Sequence, residues 1–250
     1  MRKRALDQGR FRSLAIGSFL IVGMACSGPK VTSQVSNELP RYQIQTLALM
    51  PFTTLSTPQV RDASDMYLSA PQSVKGSDIS LGVPSTVEAQ FKQTTTVPPY
   101  AAEKVTQLFW TRLKNRPGIV VLSPATAATK IAAQSKSETA KAVPERMAAD
   151  VAAELKADAA LMGQVLVYQE RSGGKLGASP PATVGFEVKA VASDGQVLWV
   201  ANYYERQQPL TQDFLGFIQH GGVFVTADEL AQYGADQVLK RFPFGTQEGD

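Results

Sequence analysis

One stretch, Ala159 to Arg206, constrains the fold more than any other part of the chain. It holds three runs rich in Val, Leu, Phe, Tyr or Trp, at Ala159–Gln169, Thr183–Ala192 and Gln196–Glu205. Turn residues separate the runs, so each reads as a β-strand. The second and third flank Ser193-Asp194-Gly195, where the Asp-Gly pair supplies the positive-φ position of a tight hairpin. A three-stranded antiparallel meander at the centre of the fold follows. In the third strand Val197, Trp199, Ala201 and Tyr203 share one face, and Leu198, Val200, Asn202 and Tyr204 share the other. Both faces begin apolar and turn polar, which predicts a strand covered on two sides at its start and emerging into solvent at its end.

Upstream, Ile44–Phe52 carries the unbroken apolar run Leu47-Ala48-Leu49-Met50, the pattern of a strand buried on both faces. Pro98-Pro99 opens a helix with the stripe Ala101, Val105, Leu108, Phe109 and Leu113, and Pro117-Gly118 stops it. Trp110 falls off that stripe and reads as edge core. Ile119–Leu122 is a further strand, and residues 126–134 and 144–156 are helical. The second of these helices places Met147, Val151 and Leu155 on one stripe, beside Ala148 and Ala152. Beyond the meander, Gln207–Gly222 reads as irregular. Thr226 and Glu229 form a capping box, with Val225 and Leu230 spaced as a hydrophobic staple, and the last helix buries Leu230, Tyr233, Val238 and Leu239. These elements predict an α/β (α+β) domain over residues 44–244, with a central mixed sheet that includes the C-terminal meander and helices packed on it. A tail at 245–250 is expected to be loose. About 200 residues suffice for one ordinary core.

Residues 53–97 interrupt this pattern. They are crowded with Ser, Thr, Gln and Pro and show no helical stripe, and structureless connections of this length are uncommon. The segment reads as a surface insertion, packed on its own domain or serving as a binding loop. Its Tyr67 and Phe91, with Trp110, are the candidate partner contacts.

The N-terminus is a targeting segment. Arg2, Lys3, Arg4, Arg10 and Arg12 precede the apolar run Leu14–Ala25, and then comes Cys26. A charged start, a short apolar run and a small residue before the cut make a secretory signal over residues 1–25. The run is too short to span a bilayer, which takes about 20 apolar residues. Cys26 is the chain's single cysteine. Here the sequence resembles a bacterial lipoprotein signal, in which the cysteine is lipidated, palmitate among the acyl chains, and becomes the mature N-terminus. Ser27 in the next position implies, by the same resemblance, the outer membrane over retention at the inner one. Residues 26–43 then read as the lipidated Cys and a flexible tether.

The charge balance changes with that reading. The whole chain nets +3, from 25 Lys+Arg against 22 Asp+Glu. Residues 1–25 hold five of the basic and one of the acidic side chains, so the remainder carries 20 against 21 and nets −1. No basic stripe with interleaved aromatics is left for nucleic acid. A lone cysteine also excludes an intrachain disulfide.

The order of elements carries a family resemblance. A strand of the LALMPF type is followed by helix and strand (VTQLFWTRLKNRPGIVVLS), a helix entering LKADAALMGQV, and a hairpin of the form DGQVLW. This series resembles the periplasmic domain of the curli-secretion-channel lipoproteins, and also the lipoprotein activators of penicillin-binding proteins, over residues 44–242. The resemblance implies an α/β fold, a bacterial envelope address and a non-enzymatic role in envelope assembly. One departure argues against a pore. Glu170–Ala182, the link between the first two meander strands, is rich in Gly and Pro, whereas a membrane hairpin needs two alternating strands of about 9–11 residues.

Catalytic chemistry finds little foothold. His220 is the only histidine, and His220-Gly221-Gly222 reads as a turn. No serine sits in a G-x-S-x-G elbow. Zinc would need several His or Cys ligands, so no metal and no cofactor is expected. Gly173-Gly174-Lys175 lacks the rest of a phosphate loop. Asp228 and Glu229 are accounted for by capping and the helix dipole. The sequence therefore predicts an envelope lipoprotein that is not an enzyme, anchored at the outer membrane with its protein-interaction domain facing the periplasm. Its expected partners are the membrane, through the anchor, and other envelope proteins; a homo-oligomer stays open. The alternative is a ligand-binding domain or an atypical hydrolase using the 207–222 loop.

Overall fold

The computed structural model describes residues 30–57, 59–60, 94–134 and 143–246. The expected signal, Cys26, Tyr67 and Phe91 lie outside the described residues, as does most of the 53–97 insertion. The elements are β1 (Val31–Val35), β2 (Thr46–Leu49), β3 (Thr53–Thr54), β4 (Gln59–Val60), β5 (Thr94–Thr95), α1 (Pro99–Leu113), β6 (Val120–Leu122), α2 (Pro124–Gln134), α3 (Pro144–Glu154), β7 (Ala159–Gln169), β8 (Gly173–Gly174), β9 (Gly177–Ala178), β10 (Thr183–Ala192), β11 (Val197–Arg206), α4 (Phe214–Gln219) and α5 (Ala227–Leu239). A seven-stranded mixed sheet runs β1-β11-β10-β7-β2-β6, with β3 also on β7. β7, β10 and β11 form the expected antiparallel meander, and β2 joins β7 in parallel. Gly195 has φ +97°, the backbone that the Asp-Gly turn requires.

Each face of the sheet has its own layer. Helices α1 and α5 cover one face over an aromatic-rich core that includes Phe52, Phe109, Phe186, Trp199, Tyr203 and Phe242. Helices α2 and α3 cover the other, where Ala48, Ala127, Ala148, Ala152 and Ala160 allow close approach of helix to strand. On α3 the inward stripe is Ala148, Val151 and Ala152, while Met147 is exposed. Of the expected stripe Val151 is buried and Leu155 packs partly buried against the core, so Met147 alone departs from it.

The expected tether also needs correcting. Residues 31–35 are strand β1, paired antiparallel with β11 from Val31↔Tyr203 to Val35↔Trp199. Val31 enters the core, and the Ser33 hydroxyl accepts a hydrogen bond from Trp199 Nε1 at 2.8 Å. A polar strand of this kind is specified by the neighbour it meets rather than by its own pattern. The insertion leaves and returns through β4 and β5, which pair with each other. Glu170–Ala182 holds only the two-residue strands β8 and β9.

Candidate functional site

The register defines two ends of the meander. One is the Asp194-Gly195 hairpin. At the other, Thr183 pairs with both Gln169 and Arg206, and β1 begins beside Tyr203. The 170–182 and 207–222 segments both leave from this second end.

A carboxylate lies at its centre. The alternation of β11 carries Trp199, Ala201, Tyr203 and then Glu205 onto one buried face, and Glu205 is 4 % exposed. The expectation that both faces of this strand emerge into solvent fails here; only Tyr204 does so among the last four residues that precede Arg206. Glu205 Oε1 accepts from Lys30 Nζ at 2.7 Å and lies 2.6 Å from His220 Nε2. Glu205 Oε2 accepts from the Tyr203 hydroxyl at 2.7 Å. Burial alone would raise the Glu205 carboxyl, but the bonds from His220, Lys30 and Tyr203 outweigh it and hold the group below its ordinary value. Burial, with the Glu205 charge beside it, pushes the Tyr203 hydroxyl up.

A second ring of contacts fixes the cluster. Lys30 Nζ also donates to Gln219 Oε1 at 3.2 Å, and Gln219 Nε2 donates to the Tyr233 hydroxyl. The His220 ring meets Tyr233 edge-on, with centroids 5.0 Å apart. Tyr203 lies flat against α5 at Gly234, where a Cβ would come within 2.4 Å of the ring. Buried Gln207 closes the loop: its Oε1 accepts from Val225 N at 2.8 Å and its Nε2 donates to Val223 O at 2.6 Å. The loop is thereby held at its start, its end and its only histidine.

What the loop presents is apolar. Residues 207–222, expected to be irregular, contain helix α4, capped by Asp213, whose Oδ1 accepts from Gly216 N at 2.8 Å. Phe217 packs on Phe224, with ring centroids 5.4 Å apart. Phe214, Leu215 and Ile218 point outward and are 59, 67 and 54 % exposed; Leu210 is exposed nearby. The β8–β9 hairpin adjoins them, since Lys175 O accepts from Phe224 N at 2.8 Å, and Leu176 at its tip is 90 % exposed. Thus Gly173-Gly174-Lys175 belongs to a hairpin, and His220-Gly221-Gly222 is the expected turn, with the histidine side chain a buried pin.

The remaining sequence candidates have separate places. Trp110 is half-buried and packs against the aromatic core. Glu229 completes the capping box with Thr226, and Glu170 accepts from Ala227 N at 3.1 Å. Asp228 instead bridges Lys104 and the Tyr168 hydroxyl. Among the described residues no group of three or more His, Cys, Asp or Glu is placed to hold a metal.

These features define a class by architecture: a mixed α/β domain whose antiparallel meander ends in a polar knot under an apolar surface. No family profile and no curated protein matches the chain. Solved structures with a similar backbone course include the PelC dodecamer from Paraburkholderia phytofirmans, at 13 % identity over 87 % of this chain and 98 % of that one, TM-score 0.42. Lipoprotein GNA1162 from Neisseria meningitidis matches at 14 % identity over 71 and 94 %, TM-score 0.34. The LpoB C-terminal domain from Escherichia coli matches at 10 % over 74 and 90 %, TM-score 0.33.

Proposed function

We propose that the protein is an outer-membrane lipoprotein, anchored through Cys26, whose periplasmic domain binds other envelope proteins in secretion or wall assembly and does not act as an enzyme. The observation that supports this most is the internal use of the Glu205 cluster. Both carboxylate oxygens and the ring of the chain's one histidine are engaged with protein groups, so they hold the 207–222 segment in place. Three partners on one buried carboxylate serve to fix the loop, a structural use of groups that would otherwise suggest acid–base chemistry.

The test has two arms. Mass spectrometry of protein extracted from the envelope should find acyl chains on Cys26, and Cys26→Ser should appear in the soluble fraction. Photo-crosslinkers at Val35 and Val120, exposed near the hairpin end of the sheet, should give discrete adducts with envelope proteins in cells. A hydrolytic activity abolished by His220→Gln, with the fold intact, would replace this reading with the hydrolase alternative.

A further inference from the structure

We infer that the bilayer surface covers the apolar end of the domain, with α4 lying in the headgroup layer. This rests on the lipid-anchor reading above. Two observations meet here: where the apolar side chains are, and where the chain leaves the domain.

Leu176, Leu210, Phe214, Leu215 and Ile218 are exposed on segments that leave the same end of the sheet. They cannot be attributed to loose packing of this region, because Gln207, Asp213, Phe217 and His220 fix the loop beneath them. The fold therefore holds these side chains in water, the arrangement of a surface made to be covered.

The length of chain outside the structure selects the occupant. The described chain begins at Lys30, whose ammonium contacts Gln219 in α4 and Glu205 beneath it. Four residue steps separate Lys30 from Cys26. Fully extended they reach about 14 Å. With β1 zipped onto β11, the expected 18-residue tether shrinks to that distance. An acylated Cys26 sits at the headgroups, so this end of the domain lies within about 14 Å of them. A second folded domain, about 30 Å across, does not fit in that gap. A short helix with apolar side chains outward does, since interfacial helices sink about 5–10 Å into the headgroup and acyl boundary. Anchor and helix then form the two signals that stable membrane attachment takes.

The experiment uses the full-length acylated protein. Its Cys26 sulfur is blocked by lipid, so an introduced cysteine is the only free thiol. Leu215→Cys and Val120→Cys, both at exposed positions, are labelled with bimane. Each is reconstituted in vesicles of phosphatidylethanolamine and phosphatidylglycerol carrying brominated acyl chains. The expected result is a blue-shifted emission at 215, quenched several-fold more strongly than at 120. Equal quenching at the two positions in acylated protein overturns the inference alone. A blue shift at 215 without lipid quenching means that a protein surface, a second copy or another partner, covers α4, and overturns it too. Mass spectrometry of the same sample reads the anchor independently; an unacylated chain overturns the lipoprotein reading and this inference with it.

Discussion

At the hairpin end of the meander, carboxylates near the surface bind mainly backbone N–H groups. Asp194 Oδ1 accepts from Gln196 N at 3.0 Å, and its Oδ2 accepts from the Tyr42 hydroxyl at 2.8 Å. Asp158 beside it accepts from Gln45 N and Thr46 N, at 2.9 and 2.7 Å. At the opposite end the acceptor is Glu205, and its partners come from positions 30, 203 and 220. The first pair of carboxylates stands at the surface, where water can replace a lost partner. The second is buried, where it cannot, and there the loss of one partner leaves a charge uncompensated. Exposed carboxylates on backbone N–H groups thus finish one end, and a buried ionic knot finishes the other.

The largest effect should come from the knot. Glu205→Ala should cost about 3 kcal/mol in urea unfolding, the lower end of the range for a broken buried pair, because Lys30 can turn to solvent. The sign of its pH dependence follows from the depressed Glu205 carboxyl. Its contribution is whole above the free glutamate value of about 4.3 and fades as pH falls through the lower folded value. The difference between wild type and variant should therefore narrow on acidification, and a constant gap would show that the charge is not what stabilises this end.

Next comes the hairpin. Gly195→Val forces a β-branched residue to φ +97° with open space around its Cβ, so the strain is purely backbone. A loss of about 2 kcal/mol is expected from such a conformation. A larger loss than that of Glu205→Ala would reverse the ranking of the two ends. The smallest effect belongs to Leu215→Ser, within about 0.5 kcal/mol of wild type, since an exposed side chain contributes little to folding. A clear drop in melting temperature would show that α4 packs against the domain and is not offered outward.

The meander was legible because its evidence is local: period-two apolar runs and a dipeptide that demands positive φ. The capping box at Thr226 was legible for the same reason. β1 was not, because VTSQV has one side chain for the core and takes its place from Trp199 and Tyr203 across the ladder. Helix α4 was missed since FLGFIQ is apolar all round and shows no stripe. The knot had one visible sign. Glu205 continues the face of Trp199, Ala201 and Tyr203, and a carboxylate carried onto a buried face has to find cations. Which cations was beyond the sequence, as Lys30 is 175 positions away.

The pairing of β1 with β11 also sets an order in time. Ser33 and its partner Trp199 are 166 residues apart, so the first strand to be made waits for one of the last. Chains are synthesised from the N-terminus. Until residues 197–206 exist, Val31–Val35 has no ladder to join. Once β11 arrives, the ladder closes and Lys30, just ahead of β1, is drawn onto Glu205.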